Sequence, residues 1–128
     1  MAVDMFLKLD GVNGESKDKA HGKDIDILSW SWGMSNSGSA HQGSGAGSGK
    51  VNVQDVSVTK YIDSSSPKLM LSCCDGTHFD SAVLTVRKAG GENPVEYVTI
   101  KMQEVLITSV STGGSGGDDR LTENVGLN

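Results

Sequence analysis

The sequence predicts a mainly β protein: a small β-barrel of two packed sheets with one α-helix on its side. Three observations favour this fold class. Apolar and polar residues alternate along most of the 128-residue chain, which is typical of strands with one buried face. The 17 glycines are concentrated in a few short stretches, which indicates loops between strands. One segment alone has the start and stop residues of a helix. At this length we expect a single domain over residues 1–128.

The first strand is predicted at the beginning of the chain. Leu7 and Leu9 lie on one face of this segment, and Asp4 and Lys8 lie on the other. A polar, charged loop follows before the alternation resumes near residue 25.

The second predicted strand, from about residue 25 to 34, contains both tryptophans of the chain. Because residues two apart in a strand point the same way, we expect Trp30 and Trp32 to lie side by side as core anchors. Ser29, Ser31 and Gly33 then form the opposite face, which is small, polar and uncharged. That face is either an ordinary solvent-facing surface or the lining of a water-filled channel in an assembly.

Two later segments change the parity of their apolar positions. In "VNVQDVSVTKYI" the apolar residues are odd-numbered up to Val53 and even-numbered from Val56, so we predict a β-bulge near residues 54 and 55. A second change predicts a bend near residues 103 and 104. The segment "LTENVGLN" indicates the beginning of another strand.

The one predicted helix lies in "SSSPKLMLSCCDG". Its serines are suitable N-caps, Pro67 suits the first turn and Gly76 can end the helix. Leu69, Cys73 and Cys74 belong to an apolar stripe, so we interpret the two cysteines as core residues. Metal or redox chemistry is the less favoured alternative, since thiol reactivity requires an activating neighbour.

A nucleotide site is not indicated by "GSGAGSGK". The phosphate-loop pattern requires glycine where Ser44 stands and serine or threonine where Val51 stands. A strand, not a helix, is predicted to follow. We therefore interpret residues 37–49 as a flexible surface excursion.

Catalytic and metal-binding patterns are also missing from the sequence. The three histidines lie in three separate loop-like stretches, at residues 21, 41 and 78. Asp118 and Asp119 stand beside Arg120 in a glycine-rich loop, which indicates a solvated turn or an ion-pairing surface more than an acid–base dyad. We expect no enzymatic activity, no cofactor and no metal.

Charge and hydropathy limit the possible partners and location. The formal net charge is -5, which disfavours nucleic acid and anionic membranes. No apolar run approaches the roughly 20 residues that span a bilayer. The start "MAVDMFLKLDG" lacks signal-peptide features, so if the protein leaves the cell we expect a different export route.

Several long motifs resemble one family. "MAVDMFLKLDGVNGES", "SWSWGMSNSGS", "GKVNVQDVSVTKYIDSSSPKL", "LTVRKAGGENPVEY" and "VSTGGSGGDDRLTENV" are similar, in order, to the haemolysin-coregulated protein (Hcp) family of type VI secretion. The resemblance implies homo-hexameric rings that stack into a tube, together with a spike protein, a contractile sheath and small effector proteins carried in the lumen. It also implies synthesis in the bacterial cytoplasm and secretion by this machine into the extracellular space or a target cell.

The resemblance places Ser31 on the lumen side, and its strand face also includes Ser29 and Gly33. It implies loops that form contacts between subunits or rings, at Ser39, His41, Gly45, Gly90, Gly91, Asp118, Asp119 and Arg120. Family chains usually continue past "LTENV" into further strands, so we expect this chain to lack C-terminal strands. Either this leaves a sheet edge unpaired, or the chain closes its sheet differently. The alternative function is a monomeric β-barrel binding module or effector chaperone that forms no tube.

Overall fold

The computed structural model describes residues 3–37, 50–91 and 94–128. The regular elements in these ranges follow in chain order. They are β1 (Val3–Leu9), β2 (Ile25–Ser31), β3 (Met34–Asn36), β4 (Val51–Val53), β5 (Val56–Tyr61), α1 (Ser66–Asp75), β6 (His78–Lys88), β7 (Glu96–Thr112) and β8 (Thr122–Leu127).

Six strands form a closed barrel in the order β1-β2-β5-β8-β7-β6, and every neighbouring pair is antiparallel. Strands β3 and β4 form a separate two-stranded sheet. The predicted mainly β barrel with one helix is therefore confirmed. The expected unpaired edge is wrong for the barrel, because β8 pairs with β5 on one side and with β7 on the other.

The hydrophobic core fills the barrel and extends under α1. Each barrel strand contributes alternate side chains to it, as the period of two requires. The fully buried members include Leu7, Leu9, Ile25, Val58, Leu69, Leu84, Val105, Val125 and Leu127.

Helix α1 begins and ends at the predicted residues. Ser65 is the N-cap and Pro67 lies in the first turn, while Gly76 ends the helix in a left-handed conformation with φ 71°. The predicted stripe is only partly correct: Leu69 is buried and Cys73 packs against the core, but Cys74 is exposed. Among the described residues, no helix has the length and apolar character needed to cross a membrane.

Strand β2 departs from simple alternation at Leu28. Ile27 pairs with Lys60 and Ser29 with Thr59, so β2 has one extra residue at this point. The bulge lets Ile27 and Trp30, which differ in parity, both contact the core.

Trp32 is not a core anchor, which corrects the prediction from the sequence. Its side chain is 44% exposed and its indole Nε1 donates a hydrogen bond to the Gln54 carbonyl at 3.0 Å. Strand β2 ends at Ser31, and the chain then passes through Gly33 into the separate β3-β4 sheet. The prediction treated residues 25–34 as one strand, but they belong to two different sheets and the connection between them.

The other two changes of parity have different structural causes. The predicted bulge near residues 54 and 55 is instead a break between β4 and β5, which belong to different sheets. The predicted bend near residues 103 and 104 coincides with Glu104, whose φ is 52° within the continuous strand β7.

Candidate functional site

Four neighbouring strands carry an outward surface of small, uncharged side chains, which we call the serine face. In the first row, Ser31 pairs with Ser57, Ser57 pairs with Gly126, and Gly126 pairs with Ser109. The second row consists of Ser29, Thr59, Asn124 and Ser111, paired in the same way. The serine face is thus eight residues, two from each of β2, β5, β8 and β7.

The local sequence of each strand explains why these residues point outward. In β5, Val56 and Val58 are buried, so Ser57 and Thr59 lie on the opposite face. In β8, Val125 is buried and Asn124 is exposed, while Gly126, which has no side chain, is buried beside the Thr108 and Ser109 hydroxyls. The bulges in β2 and β7 bring the serines of these strands into line with the same rows.

Close contacts within the serine face fix its shape. The Thr59 hydroxyl donates to the Asn124 side-chain oxygen at 2.6 Å, which links β5 to β8. A Cβ added at Gly126 would lie 2.6 Å from the Ser109 Oγ. Glycine at this position therefore lets the β7 hydroxyls approach the β8 backbone.

Hydrogen bonds lie at one border of the serine face and a cation–π contact lies at the other. Below the first row, Asp55 accepts hydrogen bonds from Thr108 Oγ1 at 2.7 Å and from the Asn128 amide at 2.8 Å. Beyond the second row, the Arg120 guanidinium lies 3.7 Å from the centre of the Tyr61 ring. This cation–π contact holds the β7-β8 loop against β5.

The structure brings together only part of the predicted lumen-facing set. Ser29 and Ser31 are exposed and lie in adjacent positions of the serine face. Gly33 lies beyond the end of β2, where its carbonyl accepts a hydrogen bond from the Gln54 amide at 2.9 Å. It therefore belongs to the connection toward β3 and not to the two rows.

The predicted contact loops are separated in the fold. Gly90 and Gly91 form the exposed turn between β6 and β7, with φ values of 89° and 85°. Asp118 and Asp119 are exposed in the β7-β8 loop next to Arg120. Ser39, His41 and Gly45 lie outside the described residues.

The sequence pattern predicted the two β2 residues of this surface and none of the other six. The missed residues are Ser57, Thr59, Ser109, Ser111, Asn124 and Gly126. For the residues of β5 and β7, the sequence does contain a pattern that indicates an outward polar face: valine alternates with small polar residues in "VSVT" and "SVS". Only the strand order shows that these segments adjoin β2.

The chemistry available at the serine face is hydrogen bonding by hydroxyl and amide groups. None of its eight residues carries a titratable side chain. In the described part of the chain, no group of three or more His, Cys, Asp or Glu residues is arranged to hold a metal ion. The face is suited to contact with water and protein surfaces.

Comparisons with known proteins identify the family. The family model described as "Type VI secretion system effector, Hcp" matches residues 6–128. Protein hcp1 of Pseudomonas aeruginosa is 71% identical over 128 residues, which cover 100% of this chain and 79% of that protein. The chain therefore belongs to the Hcp family of the type VI secretion system.

Solved structures agree with this assignment. Hcp1 from Salmonella typhimurium is 38% identical with a TM-score of 0.81, covering 100% of this chain and 81% of that one. A type VI secretion system effector from Yersinia pestis is 35% identical with a TM-score of 0.82, covering 98% of this chain and 83% of that one. The barrel and its side helix are thus the fold of this family.

Proposed function

We propose that this protein is the structural subunit of a type VI secretion tube, in which six copies form a ring and the rings stack. The serine face carries this proposal. We assign it to the wall of the lumen, where small effector proteins would travel. The proposal extends the predicted role of Ser29 and Ser31 to all four strands.

The composition of the serine face suits a passage for proteins. Short hydroxyl side chains bind water and can exchange hydrogen bonds with a passing surface, while they offer little apolar area. An uncharged wall also avoids strong attraction to cargo of either sign. Cargo can therefore be held weakly and still move.

Exposed apolar side chains outside the serine face support association between copies. Trp32 is one of these exposed residues, and the small β3-β4 sheet contributes three more, Met34, Val51 and Val53. Apolar groups clustered at a surface are characteristic of protein–protein contacts. We propose that such surfaces, with the loops at residues 90–91 and 118–120, contribute contacts within or between rings.

The family assignment supports the remaining partners and the location that we propose. We propose a spike protein at the end of the tube, a contractile sheath around it, and export of the subunit from the bacterial cytoplasm by the type VI machine. Enzymatic activity is not part of the proposal.

Negative-stain microscopy of the purified chain tests the assembly. We expect six-fold rings, with some stacks at high protein concentration. Single particles of one-subunit size at every concentration would contradict the ring and favour the alternative, a monomeric binding module or effector chaperone.

The substitution Ser31→Gln tests the serine face. Because Ser31 is exposed, we expect folding and rings to be unchanged within about 0.5 kcal/mol per subunit, while the longer side chain weakens retention of a co-produced small effector. Co-purification of the effector with the rings is the measurement. Ser81→Gln, at an exposed serine of β6 outside the serine face, is the matched control. Equal retention by the two variants would remove the lumen assignment.

A further inference from the structure

The loop between β1 and β2 folds over the outside of the barrel. Its own backbone hydrogen bonds hold it together, including Gly14 N–H to the Lys23 carbonyl at 2.7 Å and Ser16 N–H to the Asp24 carbonyl at 3.0 Å. A Cβ at Gly14 would lie 2.5 Å from the Asp24 carbonyl oxygen, so the two ends of the loop are in direct contact.

The loop covers the side chain of Phe6. It alternates with the core residues of β1 and so points away from the barrel interior, yet it is only 5% exposed. The His21 ring stacks on it, with ring centres 4.5 Å apart and planes 7° apart. The Arg87 guanidinium of β6 lies 4.9 Å from the same ring centre.

Both ring nitrogens of His21 face carboxylates. Nδ1 lies 2.9 Å from Asp24 Oδ2 in the loop, and Nε2 lies 2.7 Å from Glu96 Oε1 at the start of β7. A carboxylate only accepts hydrogen bonds, and a neutral imidazole has a single N–H. Both contacts can be hydrogen bonds to carboxylates only when His21 is the doubly protonated imidazolium.

The surrounding charges favour the same protonation state. Arg87 pairs with Asp18 of the loop, at 2.9 Å between Nη1 and Oδ2, and more distantly with Asp4 of β1 at 3.4 Å. The ionisable groups that contact one another at this junction, besides His21, are therefore Asp4, Asp18, Asp24, Arg87 and Glu96, and Lys19 of the loop lines the adjoining groove. Four carboxylates meet two cations, so a neutral His21 leaves the junction with an excess of negative charge.

We propose that His21 is a proton-operated latch: as imidazolium it fastens the β1-β2 loop over Phe6 and against β7, and as neutral imidazole it releases the Glu96 contact. The released loop would uncover Phe6 and widen the groove of about 700 Å³ that Asp18, Arg87, Glu96 and the Gly90–Gly91 turn line. The latch lies within one subunit and does not depend on the proposed tube.

The direction of the pH dependence follows from the same contacts. Burial lowers the pKa of His21, but the hydrogen bonds to Glu96 and Asp24 outweigh it and the pKa is raised above its ordinary value. The arginine hydrogen bonds lower the pKa of Asp18, which keeps that carboxyl ionised in the same range. Loop stabilisation by the latch is therefore complete below about pH 6.5 and is lost as the pH rises through the folded-state pKa.

Nuclear magnetic resonance of the full chain measures both events. The ring protons of His21 report its titration, and the amides of Gly14, Ser16 and Lys23 report protection of the loop. After correction for the intrinsic pH dependence of exchange, we expect protection to fall roughly threefold or more between about pH 5.5 and about pH 8.5, in step with the ring titration.

A pair of variants identifies the contact responsible. Glu96→Gln keeps the shape and removes the charge, so the His21 titration and the loss of loop protection should both move to lower pH. Glu104→Gln, at an exposed glutamate of the same strand, should leave both unchanged. Loop protection that stays constant while His21 titrates would overturn the latch. An identical His21 titration in the two variants would also overturn it. A His21 imidazole that stays protonated over the whole pH range would overturn it too.

Discussion

At the scale of the residue, Trp30 and Trp32 have different roles although they are two positions apart. Trp30 packs against the barrel core, whereas Trp32 lies over the edge of the small sheet and is held by one hydrogen bond to the Gln54 carbonyl. Alternation predicted the same role for both because it assumes one continuous strand. Strand β2 ends at Ser31, so Trp32 lies in the connection to β3.

Alanine substitution should separate the two tryptophans. We expect Trp30→Ala to lower the free energy of unfolding by roughly 3 kcal/mol, because it leaves a space against the core. Trp32→Ala should cost about 1 kcal/mol, since it removes one hydrogen bond and a partly exposed contact. Urea unfolding followed by circular dichroism measures both. Equal losses would contradict the assignment of Trp32 to the surface.

At the scale of the element, a buried ionic cluster attaches α1 to the barrel. Lys60 of β5 and Glu123 of β8 are fully buried and form an ion pair. Ser66, in the first turn of α1, donates to Glu123 at 2.6 Å, and Asp63 lies 3.2 Å from the Lys60 Nζ. The cluster therefore joins two strands and the helix at one point.

A double-mutant cycle tests this attachment. Lys60→Met alone should cost about 3–5 kcal/mol, because it leaves the buried Glu123 without its cation. Glu123→Leu alone should cost less, because Lys60 keeps its ion pair with Asp63. The double variant should cost clearly less than the two single costs added together, since it removes both charges. Chemical denaturation of the four proteins gives the coupling. Strictly additive losses would mean that the pair is not coupled.

Much of the element structure could be predicted because its signals are local. Pro67 and Gly76 mark the ends of α1, and alternation locates most of the strands. The bulge at Leu28 and the left-handed Glu104 could not be derived in full, because each depends on pairing with a distant strand. Parity alone cannot distinguish a bulge from a change of sheet, as residues 54 and 55 demonstrate.

At the scale of the whole molecule, the serine face depends on the order of four neighbouring strands, β2-β5-β8-β7. Strand β8 lies between β5 and β7 and aligns their small polar residues with those of β2. The sequence predicted Ser29 and Ser31 from one strand. The other six positions require the strand order, which no local pattern contains.

We propose that copies of this chain assemble into a six-membered ring with the serine face inward. Native mass spectrometry of the purified protein measures the number of chains in the assembly. We expect a dominant species of six times the 13.4 kDa chain mass, and Ser31→Gln should retain it. A dominant single-chain mass at every protein concentration, from a protein whose circular dichroism is that of a folded barrel, would contradict the claim.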